Sequence, residues 1–290
     1  MRERAIEQFE SIFERASIPV LDILEPSLRR LSVVLTGDQL DKTLVRTARY
    51  LRGRFESEVQ VHWSDAGGHE AATAAGRSDG FTLETSPFES AAALIGQIAL
   101  THSQMVLYAA PENEDKRIAE ADALVKGVAA PILLIRRPIA EPPAVFRAIL
   151  HSLSGNFQQT ENFSYSFGLV EDGGALRLLH TVDPGEVAAV REAMKLTTDI
   201  SEEDEQDVLD ELTRRGERYL KAVVAASREQ PYEVNYRLGV GDIVEAARKE
   251  LASGSYGLLV VGHHEEGHSR ITAADYQLMH LVREIPVLAL

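Results

Sequence analysis

The sequence predicts an α/β protein built twice over. Short apolar runs alternate along the chain with segments of helical period, and the series occurs in the same order in each half. Strands that alternate with helices imply parallel sheets with right-handed crossovers. Each half also closes in one way: an apolar strand (residues 105–108; 258–261), a helix, a proline (Pro131; Pro286) and a short apolar strand (132–135; 287–290). This repetition sets the expected organisation: an N-terminal helix and linker over 1–28, a first domain over 29–138, a linker over 139–145 and a second domain over 146–290.

The first half reads as follows. Residues 1–17 carry Ile6, Phe9, Ile12, Phe13 and Ala16 on one face of a helix. Leu31-Ser-Val-Val-Leu-Thr-Gly37 is a strand. Asp38 is expected to start a helix with Leu40, Leu44, Val45, Ala48 and Leu51 inward, stopped by Gly53. Glu58-Val-Gln-Val-His-Trp63 alternates as a strand does. Residues 67–80 are small and weakly patterned, which suggests a mobile loop with at most a short helix. A short strand over 81–84, a helix over 86–102 and a strand over 105–108 follow. Ala109-Ala-Pro-Glu-Asn113 leads to a helix with Ile118, Ala121, Leu124, Val125 and Val128 inward. Pro131-Ile-Leu-Leu-Ile135 is the last strand, and Arg136 to Pro143 is a linker by composition.

The second half repeats the order. Ala148-Ile-Leu-His-Ser-Leu-Ser-Gly155 and Leu176-Arg-Leu-Leu-His-Thr-Val182 are strands, with a helix over 162–169 between them. Ser201-Glu-Glu-Asp204 has a capping-box pattern and an acidic first turn, and a long amphipathic helix follows. Nothing in the first half looks equivalent to it, so one flank of the first sheet is expected to be bare, with the helix at 1–17 as its cover. Residues 232–238 alternate, and Asp242 caps a helix ending near Gly254. Residues 257–261 form a buried strand ended by Gly262. Thr272 and Asp275 make a second capping-box pattern, and Pro286 ends the helix they begin.

Composition excludes several classes of function. A formal net charge of -15 without a basic stripe disfavours nucleic acid and anionic membranes as partners. No apolar run is long enough to span a bilayer, and the first ten residues lack the apolar core of a signal peptide. The absence of cysteine removes disulfides and thiol chemistry. A cytoplasmic location is expected.

Leu176-Arg-Leu-Leu-His-Thr-Val-Asp183, Leu238-Gly-Val-Gly-Asp-Ile-Val-Glu-Ala-Ala247, Tyr256-Gly-Leu-Leu-Val-Val-Gly262 and Pro286-Val-Leu, in that order, resemble a tandem universal stress protein. The first half matches more weakly, and together the resemblance covers about 30–290. It implies two flavodoxin- or Rossmann-like domains, each a five-stranded, mainly parallel sheet flanked by helices. It also implies pairing of the two as a pseudo-dimer through their last strands, residues 132–135 and 287–290.

The nucleotide-binding branch of that family carries Gly-x-x-Gly, a spacer and Gly-Ser or Gly-Thr after the fourth strand, and an Asp at the end of the first. Glycines let backbone amides reach phosphate, and the following helix start adds partial positive charge. This chain departs from each point. Glu265 stands at the second glycine, Gly267 is offset, and Ala273 and Ala274 replace Gly-Ser. In the first half Ala109, Ala110, Pro111 and Glu112 carry no glycine, and Pro111 lacks an amide donor. The first strands end in Thr36-Gly37 and Ser154-Gly155. The resemblance therefore leaves one altered nucleotide site, in the second domain, from Ser154, Gly155, Val182, Gly239, Gly262, His263, His264 and Gly267.

Other signals are weaker. His264-Glu-Glu-Gly-His268 matches the zinc-protease pattern, whose two histidines must lie one helical turn apart. Here it follows a strand and contains Gly267, so His264 and His268 are weak metal candidates and the usual reading is a polar loop. Gly239-Val-Gly-Asp242 is a tight turn into a helix. Ser152 and Ser154 have no nucleophile elbow, and His151 reads as a packed histidine. The expected function is a non-enzymatic stress-response or regulatory factor that works through binding of protein partners or a ligand. It requires no cofactor, and its nucleotide binding is weak, altered or lost. The alternatives are an ATP- or AMP-binding switch confined to the second domain and, remotely, a zinc-dependent hydrolase at His264, Glu265 and His268. Monomer and homodimer are both open.

Overall fold

The computed structural model describes residues 26, 28–111, 115–153, 161–185, 202–265 and 268–290; for 66, 161–162, 202–205, 263–265 and 268–270 it describes the backbone alone. The expected helix at 1–17 lies outside these residues. The first half runs β1 (Arg30–Leu35), α1 (Asp41–Phe55), β2 (Glu58–Trp63), α2 (Ala66–Asp79), β3 (Thr82–Leu83), α3 (Ala91–Thr101), β4 (Met105–Ala109), α4 (Asp115–Gly127) and β5 (Ile132–Ile135). After α5 (Pro142–Arg147) come β6 (Ala148–Leu153), α6 (Glu161–Leu169), β7 (Ala175–Val182), α7 (Glu202–Ala226), β8 (Glu233–Val240) and α8 (Ile243–Ser253). The chain finishes with β9 (Leu258–Val261), β10 (His263–Glu265), β11 (His268–Arg270), α9 (Ala273–Leu281) and β12 (Val287–Ala289).

Ten of these strands form one sheet, in the order β3–β2–β1–β4–β5–β12–β9–β6–β7–β8. All neighbours are parallel except β5 and β12, which pair antiparallel as Leu134 with Val287, Leu133 with Leu288 and Ile132 with Ala289. The central strands are apolar at successive positions because helices cover both faces. On one face Leu31, Val33, Leu107, Leu133, Leu288, Val260, Ile149 and Leu176 meet the buried sides of α1, α2, α6 and α7. On the other, Val34, Val106, Leu134, Val287, Leu259 and Leu150 meet α3, α4, α8 and α9. Both cores run without a break through the β5–β12 pair.

Side chains fasten the halves on each face. The Arg54 guanidinium, at the end of α1, donates to the carbonyls of Gly168, Leu169 and Val170 at 3.0, 2.8 and 2.5 Å and to Glu171 Oε1 at 2.5 Å. It therefore caps the exposed carbonyls at the end of α6. Tyr50 stacks on Phe146 with ring centroids 5.9 Å apart and donates its hydroxyl to Glu171. On the opposite face Tyr276 of α9 donates to Asp122 of α4, His280 Nε2 lies 3.0 Å from Asp122 Oδ1, and the Lys126 ammonium sits 5.1 Å above the Tyr276 ring.

Several expectations need correction. Residues 67–80 are not a loop: α2 occupies them, N-capped by Asp65, which accepts from Gly68 N–H at 2.9 Å, and ended by Gly80 at φ +65°. Alanines are strong helix formers, and Ala72 and Ala75 need only a shallow buried stripe, so the periodicity was faint. α2 follows β2 as α7 follows β7, so the first sheet has the flanking helix it was expected to lack, and that reason for placing 1–17 there disappears. α1 begins at Asp41 because Asp38 forms a turn of its own, accepting from Leu40 N–H at 2.6 Å. α3 begins at Ala91, after the Ser90 cap, since Pro87 disfavours helix before it. The stretch read as linker runs into α5, whose Val145 and Phe146 are buried.

Arg54→Ala leaves three carbonyls without their donor and the half-buried Glu171 carboxylate without its counter-charge, Tyr50 alone still donating to it. We expect a loss of about 2–4 kcal/mol in urea denaturation, with Arg54→Lys recovering less than half, because ammonium cannot reproduce the planar fork.

Candidate functional site

Open α/β sheets bind ligands beyond the carboxyl ends of their strands, where neighbouring strands lead their connections to opposite sides. The strand order gives two such places: between β1 and β4, and between β6 and β9.

At the first, the turn after β1 folds onto itself. Asp41 Oδ1 accepts from Thr36 N–H at 3.2 Å and Oδ2 from Gly37 N–H at 2.8 Å, while the Thr36 hydroxyl donates to Asp38 at 3.1 Å. The two amides best placed for an anion are thus held by a carboxylate of the chain. Asp41 is buried, and its pKa is pushed up to about 6: desolvation outweighs the two backbone hydrogen bonds and nearby Arg117, with Asp38 adding repulsion. The glycines here serve close packing. Gly37 has φ +79°, and a Cβ on it would lie 3.1 Å from Gly67 Cα and Gly68 N, at the start of α2. After β4, Ala110 N–H donates to Ile135 O at 3.0 Å, and Pro111 has no N–H. Beside them Tyr108 donates to Glu120 at 2.7 Å, and Arg117 to the same oxygen at 2.9 Å. Burial and the Glu120 carboxylate push the Tyr108 phenol well above its ordinary range.

At the second, the residues singled out in sequence divide. Ser154, Gly155 and Gly267 lie outside the described residues. Gly262 follows β9 with φ +85°, as the sharp turn there demands. Val182 is buried at the end of β7, and Gly239 lies on β8 opposite Thr181. The order β9–β6–β7–β8 therefore sets Gly262, Val182 and Gly239 along one carboxyl edge, with the end of β6 between the first two. The stretch after Gly262 is a hairpin where a polar loop was expected: β10 and β11 pair antiparallel, His263 with Arg270, His264 with Ser269 and Glu265 with His268. His264 and His268 thus lie on opposing strands, not one turn apart on a helix.

The hairpin leads into α9, whose start is closed by a capping box. Asp275 Oδ2 accepts from Thr272 N–H at 3.0 Å and from its hydroxyl at 2.7 Å, and Asp275 N–H donates to Thr272 Oγ1 at 3.2 Å. Asp275 is fully buried. This box was legible in sequence. Asp41 was missed: its signal is the Thr-Gly-Asp-x-x-Asp spacing, in which the second carboxylate can return to the amides of the first two residues.

His151 is fully buried on β6. Its Nδ1 lies 2.6 Å from Ser166 Oγ, and burial pushes its pKa down to about 3, so it is a neutral packed histidine. His62 repeats the arrangement on β2, with Nε2 2.9 Å from Ser32 Oγ and Nδ1 3.3 Å from Gln97.

The chain is similar in structure to a protein of unknown function from Pseudomonas aeruginosa PAO1, at 12% identity and a TM-score of 0.57, covering 91% of this chain and 92% of that one. It is also similar to a protein described as a universal stress protein from Pseudomonas aeruginosa UCBPP-PA14, at 13% identity and 0.56, covering 91% and 93%. The fold is that of universal stress proteins. The cytoplasmic domain of a prokaryotic cation chloride cotransporter has it as well, at 11% identity and 0.50, covering 89% and 93%. These identities speak of fold, and one fold serves many functions. No family model and no curated protein matches the sequence. Among the described residues no helix is long and apolar enough to cross a membrane.

A folded pKa above the unfolded value means Asp41 stabilises the protein fully below pH 3.8 and ceases to do so as pH rises through about 6. Relative to Asp41→Asn, the wild type should lose about 1–3 kcal/mol between pH 4 and 7, followed by urea denaturation. Thr272→Ala should cost about 1 kcal/mol by loss of its cap.

Proposed function

We propose that this chain is a non-enzymatic regulatory factor of the universal-stress-protein type. Its two halves would form an internal pair of such units, and its ordinary nucleotide sites have been given up or altered. The observation that carries this reading is a carboxylate folded onto backbone amides at the end of β1 and again at the start of α9. Asp41 fills the amides after β1, and Asp275 closes the start of α9. A nucleoside triphosphate would have to displace a carboxylate already folded into place, and would meet its repulsion if it did not. The hairpin after Gly262 puts Glu265 in the stretch where the family's nucleotide-binding branch carries glycine.

Such a protein acts by binding, and protein partners fit its acidic surface better than nucleic acid does. Neither half is assigned a catalytic residue.

Calorimetry with ATP, ADP and AMP, with and without magnesium, tests the reading. We expect no saturable heat below about 100 μM nucleotide, a free energy near -5.5 kcal/mol. Saturable binding at about 1–10 μM would replace this reading with that of a nucleotide switch in the second half.

A further inference from the structure

The ten-stranded sheet ends differently on its two sides. β3 has two residues, whereas β8 has eight, and among the described residues no strand pairs with its outer edge. Long open edges invite pairing, and proteins usually blunt them with proline, lysine, bulges or brevity. Within Glu233–Val240 there is no proline and no lysine, and the register with β7 advances residue for residue without a bulge.

The geometry of this edge is specific. Glu233 N–H donates to Gly174 O and Gly241 N–H to Val182 O, so the odd-numbered residues of β8 address β7. By the strand's period of two, the N–H and C=O groups of Val234, Tyr236 and Leu238 point outward. In an antiparallel partner, outward groups must meet outward groups. A second β8 related by a twofold axis through Asn235 meets this condition: Val234 lies opposite Tyr236 and Tyr232 opposite Leu238. These pairs are aromatic with aliphatic, on the α7 side of the sheet, where Tyr232, Tyr236 and Leu238 are half-buried. On the other side the same register sets exposed Glu233 opposite Arg237, whose side chain is 57% exposed even while it holds Glu250 at 2.7 Å. Asn235 then faces Asn235, and its carboxamide oxygen is buried without a hydrogen-bond partner within the chain. Proline and glycine bound the ladder, since Pro231 falls opposite Gly239. Shifting the axis to Arg237 would oppose two like charges. Opposite charges and aromatic–aliphatic pairs both favour the register through Asn235.

We propose that β8 is the surface through which two copies of this chain pair, edge to edge and antiparallel about Asn235. The dimer extends the sheet across its twofold axis and leaves both strand-end sites open. It does not depend on the regulatory reading above.

The chain has no cysteine, so a single one reports on the pairing. Asn235 forms a pair that exchanges no hydrogen bonds, where opposing Cα atoms lie about 4.5 Å apart, within disulfide range. In the full chain, Asn235→Cys with oxidised glutathione should give a covalent dimer, and adding Tyr236→Pro should prevent it. Tyr236→Pro removes an outward donor and no bond to β7. Sedimentation equilibrium of the cysteine-free protein should show twice the 31.9 kDa mass at about 200 μM. Glu233→Lys should weaken association about tenfold, and Leu100→Glu on distant α3 should leave it unchanged. A wild type that stays monomeric at that concentration overturns the proposal. So does a dimer indifferent to Glu233→Lys and Tyr236→Pro, or an Asn235→Cys variant that does not cross-link.

Discussion

Everything else in this fold depends on the antiparallel pairing of β5 with β12. Each is a short, wholly apolar strand, and either alone would be an open sheet edge that exposes apolar side chains and invites pairing. Pairing them satisfies the backbone and joins two parallel sheets into one. It also lines up the apolar faces on both sides, so that Leu133 and Leu288 continue one core while Leu134 and Val287 continue the other. Two halves that share both cores cannot unfold as independent units without exposing those strands. The polar contacts across the joint follow from the same geometry. Antiparallel pairing sets α4 beside α9 on one face and brings α1 against the end of α6 on the other, where Asp122 and Arg54 find partners from the opposite half.

At the end of β1 and at the start of α9, backbone amides are met by a carboxylate from the helix that follows. In the first half the carboxylate comes from the start of α1, one turn after β1. In the second it comes from α9, after the hairpin. An internal acceptor is held at the site by the chain itself, so it outcompetes a ligand of equal intrinsic strength. The cost shows in Asp41, which is so buried that its charged form is disfavoured despite two amide donors.

How legible this was follows from contrast in the sequence. Strands such as Leu258–Val261 stand out because a strand covered on both faces must be apolar at every position. Likewise Thr272 and Asp275 announced α9, since a capping box is local chemistry at fixed spacing. α2 stayed hidden because alanine on both its buried and exposed sides erases the pattern. The hairpin at 263–270 is polar, short and interrupted by Gly267, and its pairing is a backbone property that side-chain pattern does not report. Asp38 looked like the helix cap, and only the turn's geometry shows that Asp41 closes back on Thr36 and Gly37.

The same contrast explains why the two ends of the sheet differ. α2 is a 14-residue helix over β2 and a two-residue β3; α7 is a 25-residue helix over eight-residue β7 and β8. A longer covering helix needs longer strands beneath it to bury its stripe, and Tyr219, Leu220 and Val223 reach that burial on β7 and β8. Lengthening an outer strand lengthens the open edge in step. β3 instead ends early, where Trp63 Nε1–H donates to Glu84 O at 3.0 Å and Glu84 N–H returns to Val61 O at 2.9 Å. The first half thus keeps its outer edge short. In the second half the helix and strand that carry the edge are longer, and the alternation of Tyr232, Val234, Tyr236 and Leu238 with Glu233, Asn235 and Arg237 gives that edge two chemically distinct sides, one apolar and one polar. The apolar side is set by burial under α7, and the same alternation would fix the register of any strand that pairs with this edge.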